Sequence, residues 1–195
     1  QDEFVVDDIS RYQKLSDIWR KANASQPVSE SVSDEEYLAA VEKGDMETAQ
    51  RLVDAAADYN DYPLEAWHVT GGVTASGVDL KTGGVQTEFR DESHFFSEKE
   101  SAEAFARTNG GRVLAVRLAI ENPRRMKDRG HGWGDAVMDT LDKDRDYDGI
   151  VYDNDYEGGG DSYLTFWKTQ IKSADPVTRD DQGNVIPLSR RFSQT

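Results

Sequence analysis

The chain has 195 residues, of which 36% are hydrophobic, 10% aromatic and 31% charged. This apolar and aromatic content exceeds that of a disordered acidic chain, so we expect a folded domain with a buried core. The net charge of −15 repels phosphates and disfavours nucleic acid as a partner. The chain contains no cysteine, which excludes disulfides and thiolate ligands, and no apolar run reaches the length of a transmembrane helix.

The start of the chain bears on targeting. No signal-peptide pattern opens it, and the first residue is Gln1, which favours a fragment or a processed product. We therefore expect a cytoplasmic protein, or one delivered by a route that needs no such signal. Residues 124–129 form a basic run, which is typical of a solvated loop.

Helical patterns dominate the N-terminal third. Residues 23–31 are polar, contain Pro27 and are interpreted as a linker. The segment before them, residues 8–22, is predicted to be a helix with one apolar face. The apolar residues at helical spacing are Ile9, Tyr12, Leu15, Ile18 and Trp19.

A helical hairpin is predicted next. Ser33 and Glu36 have the spacing of a capping box, which predicts a helix start, and Gly44 predicts its end. Asp45 is expected to cap a second helix, whose apolar positions are Ala49, Leu52, Val53 and Ala56. We assign residues 1–62 to an N-terminal helical segment and residues 63–195 to a second, strand-rich domain.

The second domain is predicted to begin with a strand at residues 64–69. Residues 70–92 are rich in Gly, Thr and Ser and are interpreted as a long loop, which in a compact domain is typical of a functional site. Ser97 and Glu100 form another capping-box pattern, which predicts a helix to about residue 107. Residues 112–120 alternate and predict a strand that ends at Asn122-Pro123.

The C-terminal part completes an α+β pattern. We expect a short helix at residues 133–141, strands at residues 149–152 and 163–167, and a turn at residues 157–160. Gln170, at the end of the last strand, is expected to have a structural role.

His68 and the pair Phe95-Phe96 are the first candidates for a binding site. A histidine at the end of a strand can hold a ligand hydroxyl, although an isolated one is more typically a buried side chain that satisfies a backbone group. If Phe95 and Phe96 are extended, their rings point to opposite faces, so that one can pack in the core and the other can line a cleft.

The motifs around these residues resemble those of ADP-ribosyltransferases. Trp67-His68-Val69-Thr70 is similar to the Trp/Tyr-His-Gly-Ser/Thr motif of the diphtheria-toxin-like and poly(ADP-ribose)-polymerase-like families. Residues 95–106 resemble the Tyr-Phe strand and following helix of those families.

A closer resemblance is to the ADP-ribosyltransferase domains of phage-encoded polyvalent proteins. Those domains have a strand followed by Asn-Pro, a Tyr-Asp-Gly-Ile motif and a late Gln-Ile-Lys-Ser-Ala, found here at residues 113–123, 147–150 and 170–174. The resemblance covers about residues 64–192. It implies an α+β fold in which a split, strand-rich transferase core carries an N-terminal helical appendage.

The resemblance also implies a function. It predicts a mono-ADP-ribosyltransferase that moves ADP-ribose from NAD to a macromolecular acceptor, expected to be a host protein, and releases nicotinamide. NAD would be the substrate, and the protein would travel with a virion and act in the bacterial host. His68 would hold a ribose, and the backbone at Val69 and Thr70 would hold the nicotinamide amide.

The same resemblance places the aromatic and acidic groups. Phe95 or Phe96 would stack on the cationic nicotinamide ring, an attraction of about 0.5–2 kcal/mol, and Ser97 and Phe105 belong to the same NAD-binding segment. Bond cleavage develops an oxocarbenium-like cation, which a nearby carboxylate stabilises. Asp161 is favoured as that carboxylate over Glu157.

Three departures from these motifs leave an alternative open. Val69 stands in place of Gly, Phe95 in place of Tyr, and Ser162 where the polymerase-like enzymes have the catalytic Glu. Without that carboxylate, the chain would be an inactive binding module that keeps the NAD-binding fold and meets a basic partner through its acidic surface.

A calcium-stabilised interaction domain is the other alternative. The sequence from residue 144 matches the first half of a calcium-binding loop. Such a loop has oxygen ligands at its first, third and fifth positions and then a glycine, which is Gly149 here. The candidate ligands are Asp144, Asp146, Asp148 and Asp155. The final position has Asp in place of Glu and a glycine run in place of an exiting helix, which favours an acidic loop. A zinc site is not supported because the chain lacks Cys and His-x-x-x-His spacing.

Overall fold

The computed structural model describes residues 32–70, 78–79, 84–85, 93–143 and 146–193. The chain divides into two compact units, Gln1–Ser31 and Val32–Thr195, and all described residues belong to the second. The predicted helix at residues 8–22 and the linker after it lie outside the described residues, as does most of the predicted loop at residues 70–92.

The predicted helical hairpin is confirmed. Helix α1 (Asp34–Lys43) follows Ser33, whose Oγ accepts from the Glu36 amide, and it ends at Gly44 in the left-handed conformation with φ of 73°. Helix α2 (Met46–Tyr59) is capped by Asp45, whose carboxylate accepts from the Thr48 amide. Such caps satisfy amides and carbonyls that lack a partner at helix ends.

The hairpin shares a hydrophobic core with the C-terminal segment. This hairpin core also contains Tyr62, and it includes Leu188 and Phe192 in and after helix α5 (Leu188–Arg191). The α-helical members are Tyr37, Ala40, Ala49, Leu52, Val53, Ala56 and Ala57. The boundary predicted between residues 62 and 63 therefore falls inside one compact unit, because the apolar faces of α1 and α2 are covered by residues more than a hundred positions later.

Two sheets are present in the described part of the chain. The strands are β1 (Leu64–Thr70), β2 (Val78–Asp79), β3 (Gly84–Val85), β4 (His94–Phe96), β5 (Arg112–Leu118), β6 (Pro123–Lys127), β7 (Gly149–Asp153), β8 (Asp161–Thr165) and β9 (Ile171–Ser173). The larger sheet has seven strands in the order β6-β7-β8-β4-β1-β5-β9, and β6 and β7 are parallel while the other neighbours are antiparallel. The smaller sheet pairs β2 with β3 and lies within the segment predicted as a loop.

The two faces of the larger sheet are covered differently. The inner face is defined by Ala66, Phe95, Val116, Leu118 and Ile171, which pack together with Ile120 in a cluster of strand and loop side chains. The opposite, outer face packs against helix α4 (Trp133–Lys143), and helix α3 (Lys99–Asn109) contacts β1, β4 and β5. The predicted α+β class is confirmed. None of the helices in the described residues has the length and apolar character needed to cross a bilayer.

Two local predictions are corrected. Residues 124–127, predicted as a solvated loop, belong to edge strand β6, where Pro123 occupies the first position and Arg124 donates to Asp139 and Thr140 on α4. Pairing of the arginine with α4 explains why a basic run can form a strand. Ser97 does not cap a helix, because Glu98 occupies the position before the first residue of α3 and Ser97 lies one residue earlier. The Ser97 amide donates to Asp161 O on β8.

Candidate functional site

His68 lies on β1 and is buried, with only 4% of its surface exposed. Its Nδ1 lies 2.8 Å from His94 O, and because a carbonyl only accepts, this nitrogen carries the proton. The registered pairing of β1 with β4 is limited to Trp67 and Phe96, so the imidazole binds a strand carbonyl at the place where the ladder stops. The structure thus has the buried, backbone-bonded histidine that the sequence left as an alternative to a ligand-binding one.

Phe95 and Phe96 point to opposite faces of β4, as alternation predicts. The Phe95 ring lies 5.3 Å from the His68 ring on the inner face, whereas the Phe96 ring lies 5.6 Å from Phe105 on α3. Phe95 is completely buried and Phe96 nearly so. The structure therefore brings two of the predicted NAD-binding side chains, His68 and Phe95, into contact, while Phe96 and Phe105 pack a strand against a helix.

Asp161 lies on the same face as His68 and Phe95. Phe95 is registered opposite Tyr163, and Asp161 stands two residues before Tyr163 on β8, so all three point to the inner face. Two interstrand spacings and a two-residue offset place the Cα atoms of His68 and Asp161 roughly 12 Å apart.

The Asp161 carboxylate is held by Arg125, which sequence reasoning missed. Arg125 Nη1 donates to Oδ1 at 3.0 Å and Nη2 to Oδ2 at 2.7 Å, a bidentate pair. Arg125 lies in the run that was predicted as a loop, 36 residues from Asp161. The carboxylate is therefore neutralised in this conformation by a partner on β6.

Glu157 occupies a different setting. Its Oε2 accepts from Asn154 Nδ2 at 3.1 Å, and its amide donates to Asn154 Oδ1 at 3.0 Å, within the turn between β7 and β8. It lines a cavity of about 370 Å³ together with Phe105 and the exposed Tyr156. Of the two predicted carboxylates, Asp161 thus shares a strand face with His68, and Glu157 shares a cavity with Phe105.

The remaining predicted NAD-binding residues lie in the strand ladders. Val69 is registered opposite Val113 and Thr70 opposite Arg112, between β1 and β5. Ser97 continues β4 and donates its amide to Asp161 O at 3.0 Å. The backbone of Ser97 is therefore used to bind β8.

Ser162 belongs to a buried hydrogen-bond network that sequence reasoning did not find. Asn154 Nδ2 donates to Ser162 Oγ at 3.0 Å, Ser162 is registered opposite Tyr152 on β7, and the Tyr152 hydroxyl lies 2.7 Å from His94 Nδ1. Asn154, Ser162 and Tyr152 are each at most 2% exposed. Burial, with a further contribution from Glu157, raises the pKa of Tyr152, so the phenol stays protonated and can donate to His94.

His94 makes the stability of the fold sensitive to acid. Burial, with a smaller contribution from His68, lowers the pKa of His94 to about 4, whereas Asp128 acts in the opposite direction. In the unfolded chain histidine titrates near 6.5, so between these pH values the unfolded state binds more protons. The contribution of His94 to the free energy of unfolding is fully present above pH 6.5. We expect roughly 3 kcal/mol of it to be lost as the pH falls to about 4.

Urea unfolding of the wild type and His94→Gln at a series of pH values tests this expectation. The other titrating groups are common to both proteins, so the difference between the two curves reports His94. The wild type should lose more free energy of unfolding on acidification than the variant. Parallel curves would show that His94 is not held neutral by the fold.

The calcium alternative gains no support from the described residues. Asp148 uses both carboxylate oxygens to accept from the Glu121 and Asn122 amides, at 2.6 and 2.9 Å. Asp144 lies outside the described residues. Within the part of the chain that the structure describes, no group of three or more His, Asp or Glu side chains is arranged to hold a metal ion.

Comparison with models of known protein families, with characterised proteins and with solved structures finds no match to this chain. His68 and Phe95 are in contact, Asp161 faces the same side of the sheet, and Arg125 pairs with it.

Proposed function

We propose that the protein transfers ADP-ribose from NAD to a macromolecular acceptor through the inner face of the strands β1, β4 and β8. The observation that carries the proposal is the placement of His68, Phe95 and Asp161 on one face of three adjacent strands, although they come from distant segments. The resemblance in sequence supports a split, strand-rich transferase core. It also supports a phage-infected bacterial cell as the site of action.

Each of the three groups would have a separate chemical role. His68, whose Nδ1 donates to His94 O, would bind a ribose hydroxyl through its Nε2, as the resemblance implies. The Phe95 ring would stack on the cationic nicotinamide, and the Asp161 carboxylate would stabilise the ribosyl cation as the bond to nicotinamide breaks. The burial of both rings means that the face must open before NAD can reach them.

A second candidate is an NAD-binding or protein-binding module without catalysis. The bidentate pair between Arg125 and Asp161 favours it, since a carboxylate whose two oxygens are bound by a guanidinium is poorly able to stabilise another cation. The complete burial of Phe95 favours the protein-binding form of this candidate, because a buried ring cannot stack on nicotinamide.

Nicotinamide release from NAD decides between the two candidates. Under the first, the wild type releases nicotinamide, and Asp161→Asn lowers the rate by roughly 100-fold, the scale typical of losing one electrostatic group at a reacting centre. Asp153→Asn is the matched control, because Asp153 is registered opposite Asp161 on β7 and the change removes the same charge. It should leave the rate close to that of the wild type.

Calorimetric titration with NAD completes the test. NAD binding with no release by any protein supports the second candidate, and His68→Ala should then weaken binding. Equal rates for Asp161→Asn and Asp153→Asn would exclude Asp161 as the carboxylate, and Glu157→Gln measured alongside shows whether the other predicted acid takes its place.

A further inference from the structure

A groove lies at the opposite end of β8 from Asp161, beside the short 3₁₀ turn Lys168–Gln170. This acidic groove has a volume of about 330 Å³. It is lined by Asp61, Tyr62, Ala119, Glu121, Asp148, Trp167, Thr169 and Gln170. Three of these residues are acidic, and among the described residues the lining includes no lysine or arginine.

Trp167 is the first sign of a binding role. It is 45% exposed, although tryptophan is usually well covered, and it follows directly on the buried Phe166. Its backbone is held in place because its amide donates to Gln170 Oε1 at 2.9 Å. A large aromatic surface thus lines the groove and is exposed to solvent.

The carboxylates beside Trp167 are the second sign. Asp148 is engaged by two backbone amides, as described above, whereas no ion pair involves Asp61 or Glu121 within the described part of the chain. Both of these side chains are exposed. The described lining therefore contains two exposed carboxylates that belong to no ion pair among the described residues, together with one exposed aromatic side chain.

Two lining residues, Gln170 and Tyr62, are held by hydrogen bonds to the backbone. Gln170 makes four hydrogen bonds, accepting from the Phe166 and Trp167 amides and donating to Ala119 O and Asp148 O. Tyr62 donates to Thr169 O at 2.8 Å across the same turn. A site built on such fixed groups loses little conformational entropy when a ligand binds.

We propose that the acidic groove binds an arginine side chain from a basic segment of a protein partner. A guanidinium group is planar, stacks on aromatic faces and can bind a carboxylate with two parallel hydrogen bonds, so it matches a groove lined by Trp167, Asp61 and Glu121. The net charge of −15 adds attraction at longer range. The groove is independent of the proposed transferase site.

Fluorescence anisotropy with a fluorescein-labelled Gly-Arg-Gly-Arg-Gly peptide tests the proposal on the full chain. Trp167→Ala and Glu121→Gln should each weaken binding by about fivefold, the loss expected for one stacking or charge contact at an exposed site. Both side chains are exposed, so the fold should be retained, which circular dichroism checks. Asp61→Asn should act in the same direction, since asparagine tolerates the positive φ of 64° found there.

Asp155→Asn is the matched control, because Asp155 is exposed, lies outside the groove and carries the same charge. Its binding should stay within about twofold of the wild type. An equal loss in Asp155→Asn and Glu121→Gln would overturn the proposal in favour of general attraction to an acidic protein. Absence of binding at roughly millimolar peptide, or equal binding of a peptide with citrulline in place of arginine, would also overturn it.

Discussion

Replacing Gln170 with Leu is expected to lower the free energy of unfolding by about 4 kcal/mol. The side chain is 7% exposed and makes four hydrogen bonds to backbone groups. Those groups lie in the β8–β9 turn, just after β5 and just before β7. The Gln170 side chain therefore hydrogen-bonds three separate connecting segments of the chain. An apolar replacement of similar size leaves buried amides and carbonyls without a partner, which costs more than the bonds themselves contribute.

Urea unfolding followed by tryptophan fluorescence measures this loss. Thr169→Ala is the control, because Thr169 is an exposed neighbour in the same turn and its replacement should change stability by less than about 0.5 kcal/mol. A loss below about 1 kcal/mol for Gln170→Leu would mean that the four bonds contribute little in solution.

Phe192→Ala is expected to cost about 3–5 kcal/mol, the range for removing a buried aromatic ring. Phe192 is completely buried in the hairpin core, and its ring lies 5.8 Å from Tyr62. The replacement leaves a cavity between α2 and the C-terminal segment. Phe192→Leu fills most of that cavity and should cost less than half as much.

The same variant tests whether the helical hairpin is part of the strand-rich unit. If α1 and α2 share one cooperative core with the C-terminal segment, far-ultraviolet dichroism and tryptophan fluorescence should report a single unfolding transition for both proteins. Two separate transitions, or a stable chain of residues 63–195, would show that the hairpin is an independent appendage, as its sequence suggests.

His68 is buried, and Asp161 is paired with Arg125 in this structure. Both arrangements favour stability in this conformation, and both must change if NAD is cleaved on the inner face. The acidic groove needs no such change, because Trp167 and Glu121 are already exposed. A partner can therefore bind the groove whichever candidate function nicotinamide release supports.

The residue pattern alone determined the elements whose bonds are local. Ser33, Gly44 and Asp45 mark helix ends through hydrogen bonds that reach three to five residues along the chain, and all three were predicted. Alternation along β4 likewise placed Phe95 and Phe96 on opposite faces. The α+β class followed from the same short-range patterns.

Tertiary structure decided the pairings between distant segments. Residues 124–127 form a strand because β7 and α4 supply partners, and Arg125 pairs with Asp161, which lies 36 residues later. The Ser97 amide bonds Asp161 O on β8. His68 is buried, with its ring against Phe95 on the neighbouring strand and its Nδ1 bound to the His94 carbonyl. Which strands become neighbours depends on how the whole chain buries its apolar faces, and no local pattern of residues contains that information.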